Sequence, residues 1–238
     1  MKRLLVLLFI ITLAASGVTP ARADDGALKL PPFKRVKLPN GMTVLLMEQH
    51  EVPIVSFNCI IKVGAVADPA GKEGLASLTA GLLRKGTRTR SADQVAAALD
   101  FIGGTLETDA NYDYSRAAAE FVKKDVDKGL DLLGDMLLNA TFPPEEVAKM
   151  LKQRADAIKA TKDRPSAVIG NYFNAYLYGN HPYGRPNEGD ERSLAAITRA
   201  DVAKFYQAYY APANVILAVV GDFDAAEMQQ TLTSRFGS

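Results

Sequence analysis

The stretch from Gly74 to Thr87, GLASLTAGLLRKGT, has the spacing of a metal-binding helix but lacks the metal ligands. Its leucines recur at the helical period and predict a short helix packed against a core. Ser77 and Gly81 lie one turn apart on the opposite face, with Ala80 beside them. Two histidines at this spacing, with a glutamate before the second, would form an H-x-x-E-H zinc site. The three positions hold a hydroxyl, a methyl group and a hydrogen instead.

This stretch reads G-L-A-x-x-x-x-x-[ML]-L-x-K-G-T and resembles the zinc helix of the insulinase/pitrilysin-type metallopeptidases. That family of inverzincins includes the mitochondrial processing peptidases. The resemblance places the family's two histidines on Ser77 and Gly81, and its glutamate base on Ala80. The family's third ligand is a glutamate on the helix before a D-x-P turn. Asp163-Arg164-Pro165 resembles that turn, which puts the third ligand on Ala157.

Further blocks of the chain resemble the same family in the same order. They are LPNGMTVLL, IIKVGAVADP, LDFIGGTLETDANYDYS, GNHPYGRPNEGDERSL and FYQAYYAPANVILAVVGDFD. The resemblance implies an α+β fold, a ferredoxin-like α/β roll of the processing-peptidase-like metallohydrolase type. Family members usually carry two such halves that close as a clamshell, and the blocks found here correspond to the N-terminal half, with a degenerate zinc motif.

Local signals predict strands and helices in a non-alternating order, which is typical of α+β proteins. An Asn-Gly turn at 40–41 between two strand-like runs predicts a hairpin. The apolar run Ile54 to Val66 predicts a strand, and Val215 to Val220 predicts another. Ser91 with Gln94 forms a capping box that predicts the start of a helix.

The N-terminus has the pattern of a secretory signal. Lys2 and Arg3 precede an apolar run, and Ala21-Arg22-Ala23 is an A-x-A cleavage site. We therefore expect a signal peptide over 1–23, a linker over 24–32 and one peptidase-type domain over 33–238. The apolar run is too short to span a bilayer, so we expect an exported, periplasmic or secreted protein with no membrane span after cleavage. An uncleaved anchor is the alternative.

The composition is that of an ordinary globular protein. The 238 residues are 48% hydrophobic and 23% charged, with a formal net charge of +1 and no strongly basic block. Nothing in this pattern indicates a nucleic-acid partner. Cys59 is the only cysteine, so no internal disulfide is expected, and its apolar neighbours predict a buried side chain.

The sequence offers few other groups for catalysis. His50 and His181 are the only histidines. We expect His50 to be exposed and His181 to shape the loop 180–189; two histidines alone leave a zinc shell incomplete. Ser77 lacks the G-x-S-x-G context of a nucleophile, and Asp156 is rotated about 100° from the third-ligand position. We therefore expect no catalytic residue, metal or cofactor, with zinc only if the chain is an active peptidase with a displaced site.

The segment after Gly103-Gly104 resembles the edge strand on which active relatives bind an extended peptide. Main-chain hydrogen bonds require no particular side chain, so this strand could still bind a peptide by strand addition. The alternative is that this strand binds nothing and that its acidic side chains prevent the sheet edge from pairing with another chain. The candidate peptide-binding residues are Thr105, Leu106, Glu107, Thr108 and Asp109.

Three functional classes remain open. The first is a non-catalytic exported homologue that pairs with a zinc-bearing homologous subunit to form a peptide-processing chamber. The second is an active peptidase with a displaced metal site, and the third is a stand-alone peptide-binding half. The missing ligands disfavour the second, and the intact caps and core stripes disfavour a decaying chain. We predict the first.

Overall fold

The computed structural model of the protein describes residues 31–237. The expected signal peptide and most of the expected linker lie outside the described residues, so the division of the chain at 23 and 32 stays a prediction.

A single six-stranded sheet organises the domain, with the strand order β1-β2-β6-β3-β5-β4. Strands β1 and β2 form the predicted antiparallel hairpin. The last strand, β6, lies between β2 and β3, parallel to β2 and antiparallel to β3. The strands are β1 (Lys34–Lys37), β2 (Thr43–Glu48), β3 (Ile54–Ile61), β4 (Thr105–Ala110), β5 (Ser115–Val122) and β6 (Val215–Gly221).

Eight α-helices accompany the sheet in the described part of the chain, which confirms the α+β class. The predicted capping box of Ser91 and Gln94 begins α2. The helices are α1 (Leu75–Leu82), α2 (Ala92–Ile102), α3 (Val126–Asn139), α4 (Pro144–Lys162), α5 (Pro165–Tyr178), α6 (Glu191–Ala196), α7 (Arg199–Tyr209) and α8 (Ala225–Phe236). None of the described helices is both long and apolar enough to cross a membrane.

The helices cover one face of the sheet, and the strands direct their alternate residues into the core between the two layers. Phe57 and Phe121 meet there with ring centroids 6.0 Å apart, and Cys59 is fully buried as expected. Helix α1 lies in this layer against β4 and β5 and also contacts α4 and α7. The core therefore holds α1 from several sides.

The opposite face of the sheet carries no helix of the described chain, and its composition changes from one edge to the other. One row of paired residues runs Leu45, Ala218, Asn58, Ala118 and Glu107 across β2, β6, β3, β5 and β4. In the rows on either side of it, β6 contributes Ile216 or Val220 and β5 contributes the charged residue Arg116 or Glu120. We call this surface the open sheet face.

The expected extent of β3 needs correction. Strand β3 ends at Ile61 rather than at Val66, because residues 65–67 form a 3-10 turn, in which the N–H groups of Ala65 and Val66 bond to the loop between β4 and β5. Helix α1 is buried on its small-residue face as well as on its leucine face, since Ser77 is 4% exposed and Ala80 is 0% exposed. The face on which the zinc positions lie is covered by other parts of the chain.

Candidate functional site

The N-terminus of α1 is held by a buried carboxylate that the sequence reading missed. Asp68 accepts hydrogen bonds from the main-chain N–H groups of Gly74 and Ala76, both at 2.8 Å. Burial raises the pKa of Asp68 to about 6, although these two hydrogen bonds act in the opposite direction. A carboxylate at a helix N-terminus complements the helix dipole, so Asp68 fixes where the zinc-helix positions begin.

Two glycines allow the loop before α6 to approach the start of α1. Gly74 has a φ of +94°, and a Cβ on it would lie 2.7 Å from the carbonyl oxygen of Glu188. Gly189 has a φ of +77°, and a Cβ on it would lie 2.3 Å from the carbonyl oxygen of Glu73. Only glycine fits both the backbone conformation and the space. This close approach brings the Glu188 side chain within hydrogen-bonding distance of Ser77.

A guanidinium group from α4 lies against the zinc-helix positions. Arg154 Nη1 donates to Ser77 Oγ at 2.9 Å, and Nη2 donates to the Ser77 carbonyl oxygen at 2.9 Å. Glu188 completes the group, because its Oε2 accepts from Arg154 Nη1 at 3.0 Å and its Oε1 accepts from Ser77 Oγ at 3.0 Å. We call Ser77, Arg154 and Glu188 the Arg154 cluster.

The cluster is buried on the arginine side and open on the glutamate side. The Arg154 side chain is 18% exposed, whereas that of Glu188 is 61% exposed. Burial lowers the pKa of Arg154, and the nearby Glu188 carboxylate offsets part of this shift. Arginine nevertheless keeps its proton in proteins, so a permanent positive charge occupies the site.

The second histidine position is tightly packed against the same arginine. A Cβ on Gly81 would lie 3.2 Å from Arg154 Nη2 and 3.2 Å from Met150 Sδ. The third-ligand position, Ala157, is exposed one turn further along α4. Its neighbour Asp156 is paired with Lys152 through Oδ2 at 2.5 Å. No carboxylate of α4 is therefore directed at the cluster.

These residues do not fit a zinc ion. Catalytic zinc requires about three nitrogen, sulfur or carboxylate ligands from the protein. The four family positions supply one hydroxyl, and the Arg154 cation contacts this hydroxyl and pairs with the carboxylate that also contacts it, that of Glu188. In the described residues no group of three or more histidine, cysteine or acidic side chains could hold a metal elsewhere.

The two histidines lie apart from the cluster. The His50 side chain is 60% exposed as expected, and its Nδ1 lies 2.7 Å from Asp222 Oδ1. His181 shapes the loop before α6, since its Nδ1 accepts from the N–H of Tyr183 at 3.2 Å and its ring packs 4.8 Å from that of Tyr183. Neither histidine has a geometry that suggests catalysis.

Strand β4, with the candidate residues Thr105, Leu106, Glu107, Thr108 and Asp109, lies at the edge of the sheet as expected. Its neighbour Asn111 donates its N–H to the carbonyl oxygen of Tyr114 at 2.9 Å. Because antiparallel pairs alternate, the main-chain groups of residues 106, 108 and 110 then point outward. The exposed side chains of 105, 107 and 109 lie on the open sheet face instead.

Two of the three outward carbonyl groups already have partners from the chain itself. Arg84 Nη1 donates to the carbonyl oxygen of Leu106 at 2.7 Å, and Asn187 Nδ2 donates to that of Ala110 at 2.8 Å. Thr108 lies between them. Side chains therefore cap both ends of the candidate peptide-binding edge, which the sequence reading did not anticipate.

Arg154 could have been found from the sequence, whereas Glu188 could not. Arg154 lies three residues before Ala157 and therefore shares its helix face. Once Ala157 is placed at a ligand position, a cation one turn away signals that a metal is disfavoured. Glu188 reaches the site through a loop, and no sequence period reports that contact.

Comparisons with known proteins identify sequences and folds similar to this chain. Residues 43–191 match the family model described as Insulinase (Peptidase family M16), and residues 196–238 match the model described as Peptidase M16 inactive domain. A protein of Rickettsia felis described as an uncharacterized zinc protease is 30% identical over 206 residues, which cover 87% of this chain and 50% of the relative. A protein of Mycobacterium leprae, also described as an uncharacterized zinc protease, is 30% identical, and the match covers 49% of that protein.

Solved structures share the fold. A protease from Helicobacter pylori superposes with a TM-score of 0.84 at 24% identity, covering 88% of this chain and 51% of that one. A peptidase M16 inactive domain from Pseudomonas fluorescens has a TM-score of 0.81 at 24% identity, with coverages of 85% and 50%. The periplasmic protease PqqL from Escherichia coli has a TM-score of 0.79 at 19% identity, and 24% of it is covered.

The chain spans about half the length of the curated relatives it matches. The matched segments run from β2 to the last residue, and they include the helix with the zinc spacing and the strand at the sheet edge. The chain therefore belongs to the insulinase family, peptidase family M16.

Proposed function

We propose that this chain is a non-catalytic, exported member of its family that pairs with a zinc-bearing homologous subunit. In such a pair it supplies one wall of a chamber in which the other subunit cleaves peptides. The observation that carries the proposal is the Arg154 cluster. Arg154 lies where a metal would bind, and its charge opposes a divalent cation at the same place.

An exposed apolar helix supports the pairing. None of the residues of α5 is buried, and it presents Ile169, Tyr172, Phe173, Tyr176 and Leu177 with exposures from 57% to 90%. Apolar surface of this kind is normally covered by a partner. The open sheet face is a second surface without a covering layer in the described residues. A stable partner interface buries about 1,200–2,000 Å² in total.

The length of the relatives supports a second half of the same fold. Each matched relative carries a further stretch about as long as the part that this chain covers. We propose that the second half facing this domain belongs to a zinc-bearing subunit, because a domain without metal ligands contributes to peptide cleavage only beside a catalytic one. A second copy of this chain and a continuation of it are the competing occupants.

The pairing can be tested by co-purification from the cell envelope. The tagged chain should isolate a zinc-bearing homologue in stoichiometric amount, and deletion of its gene should lower that homologue's peptide cleavage. The proposal would be refuted if the tagged chain were isolated as a monomer and deletion of its gene left the homologue's peptide cleavage unchanged. Size-exclusion chromatography separates the heterodimer from a homodimer.

Metal content tests the non-catalytic part separately. The purified chain should retain well below one zinc per molecule after dialysis and should cleave no peptide. About one zinc per chain, lost on Ser77→Ala or Asp156→Ala, would instead favour the peptidase with a displaced site. No group of described residues favours that alternative at present.

Export is part of the same proposal. The signal pattern places the mature N-terminus at Asp24, and the PqqL neighbour is described as periplasmic. N-terminal sequencing of the protein from the periplasm or medium should begin at Asp24. A membrane-bound chain that keeps Met1 would contradict it.

Peptide binding without a partner is a second candidate function, and the edge position of β4 favours it. An extended peptide could pair with the outward groups of residues 106, 108 and 110. It would have to displace the side chains of Arg84 and Asn187 from two of these carbonyl groups. The double variant Arg84→Ala/Asn187→Ala should therefore bind an extended peptide more tightly than the wild type; weaker binding would refute this mode.

A further inference from the structure

A cleft of about 560 Å³ opens beside the Arg154 cluster, between α4, α5 and the loop before α6. Arg154 and Glu188 lie in its wall, and most of the remaining lining is apolar. The apolar and aromatic lining residues include Ala157, Ile158, Val168, Tyr172 and Ala175, and Lys162 and Asp190 are further charged residues of the lining. A cleft with an apolar lining and a few fixed polar groups is the usual form of a ligand site.

Within the cluster, the two donors are fixed and the acceptor is not. Arg154 is anchored to the main chain by its bond to the Ser77 carbonyl oxygen at 2.9 Å, and Ser77 belongs to the buried helix α1. The carboxylate they hold belongs to Glu188, whose side chain is 61% exposed. An ion pair with a largely exposed partner contributes little to stability, so the Glu188 carboxylate can return to water at small cost.

Both oxygens of the Glu188 carboxylate are bound, one by Ser77 Oγ at 3.0 Å and one by Arg154 Nη1 at 3.0 Å. The arrangement is thus a carboxylate-binding site that an exposed side chain of the same chain fills. An arginine that always carries its charge is well suited to such recognition. Any ligand carboxylate that reaches the two donors can replace that of Glu188.

The cleft also meets the end of the sheet edge. Asn187 and Tyr112 lie in its lining, and Asn187 is the residue that donates to Ala110 at the end of β4. A peptide lying along β4 would therefore run toward the cluster.

We propose that Arg154 and Ser77 bind the carboxylate of a peptide ligand in place of Glu188. The inference rests on the peptide-binding role proposed above and names the chemistry that this role recognises. The carboxylate is either the free C-terminus of the peptide or an acidic side chain close to its end. Glu188 acts as the resident competitor, which makes binding selective for ligands that also fill the cleft.

The test uses one dye-labelled extended hexapeptide in three forms, measured by fluorescence anisotropy on the full chain. The forms are a free C-terminal carboxylate, a C-terminal amide, and that amide with a glutamate as its last residue. Charged hydrogen bonds at a partly buried site are worth about tenfold or more in affinity. The free acid should bind about tenfold more tightly than the plain amide, and the third form distinguishes an acidic side chain from the C-terminus.

Three variants assign the effect to the cluster. Glu188→Gln should tighten binding of the acid about tenfold and leave the amide unchanged, because it removes the resident carboxylate. Arg154→Met should abolish the preference for the acid. Lys152→Met removes one charge from the same helix at a side chain that is 78% exposed, and it should leave the preference unchanged. The Glu188→Gln result keeps the test decisive even if Arg154→Met does not fold.

The outcomes separate this inference from the proposed function. Equal binding of acid and amide, or no gain in Glu188→Gln, overturns carboxylate recognition while leaving peptide binding in place. Equal losses in Arg154→Met and Lys152→Met show a general charge effect and also overturn it. If neither form binds, the inference fails, and the co-purification experiment still decides the pairing on its own.

Discussion

Restoring zinc to this domain should require the removal of Arg154 as well as the return of the ligands. The family alignment calls for four substitutions, Ser77→His, Ala80→Glu, Gly81→His and Ala157→Glu. In the structure, the Gly81 change brings a side chain within 3.2 Å of Arg154 Nη2 at its first atom. The new carboxylate at position 80 would also find a resident cation to pair with. We therefore expect the fourfold variant to bind zinc poorly.

The size of the effect follows from the charges. If the restored ligands held zinc about 5 Å from the guanidinium, the repulsion between charges of +2 and +1 would be about 2 kcal/mol in water and about 7 kcal/mol at an effective dielectric constant of about 20. These limits correspond to about 30-fold and about 10⁵-fold in the zinc dissociation constant. A fivefold variant that adds Arg154→Ala should recover at least the lower factor.

The assay is competition for zinc against a chromophoric chelator at pH 7.5, with circular dichroism to establish that each variant is folded. The matched control adds Lys152→Ala to the fourfold variant, which removes a charge of α4 that is 78% exposed and does not face the cluster. This control should bind zinc no better than the fourfold variant. Equal zinc affinity of the fourfold and fivefold variants would refute the role given to Arg154, and no binding by either would refute the alignment of the four positions.

Three further predictions concern stability, each measured by urea denaturation. Partial burial alone would raise the pKa of Asp201, but hydrogen bonds from Lys72 and Thr198 outweigh it and hold the pKa at about 2. Because this pKa is depressed, the carboxylate contributes a stabilisation of about 2 kcal/mol that is present above about pH 4 and is lost toward pH 2. The free energies of unfolding of wild type and Asp201→Asn should therefore converge toward pH 2, and a constant difference between them across this pH range would contradict the prediction. Gly189→Ala should lower the free energy of unfolding by about 1–3 kcal/mol more than Gly71→Ala does. Both glycines have a positive φ, but a Cβ on Gly189 would meet the carbonyl oxygen of Glu73, whereas a Cβ on Gly71 meets nothing within 4 Å. Equal losses in the two variants would show that the close approach to Glu73 is unimportant for stability. Leu78 is fully buried, so Leu78→Ala should lower the free energy of unfolding by about 2–5 kcal/mol. Leu177 is 57% exposed on α5, so Leu177→Ala should lower it by less than about 0.5 kcal/mol in the isolated chain. A large loss of stability in Leu177→Ala would mean that α5 packs against other residues in solution.

Local signals predicted most elements because they act over a few residues. The Asn-Gly turn, the Ser91 capping box and the apolar run of β6 each produced the expected element. Helix α6 was missed, although Asp190 and Ser193 form a capping box at its start, because a serine at the third helical position lies outside the usual glutamate or glutamine pattern.

The candidate site depended on contacts that no local period reports. The zinc frame on α1 could be found from spacing, and so could the absence of ligands at its positions. Of the Arg154 cluster, only Arg154 itself could be inferred, from its spacing to Ala157. The contacts that join α1, α4 and the loop before α6 could not, because their side chains lie far apart in the chain. The capping of β4 by Arg84 and Asn187 is of the same kind. Sequence periods report which face of an element is apolar, whereas these contacts arise from how the elements pack.

The central place of β6 constrains the order in which this protein can fold. Strands β2 and β3 both pair with β6, so neither has its full set of neighbours until residues 215–221 have been synthesised. Such long-range pairing makes folding slow, and until then two apolar strands present unpaired edges that promote aggregation. Chaperones that hold unfolded chains should therefore matter more for this domain than its modest size suggests.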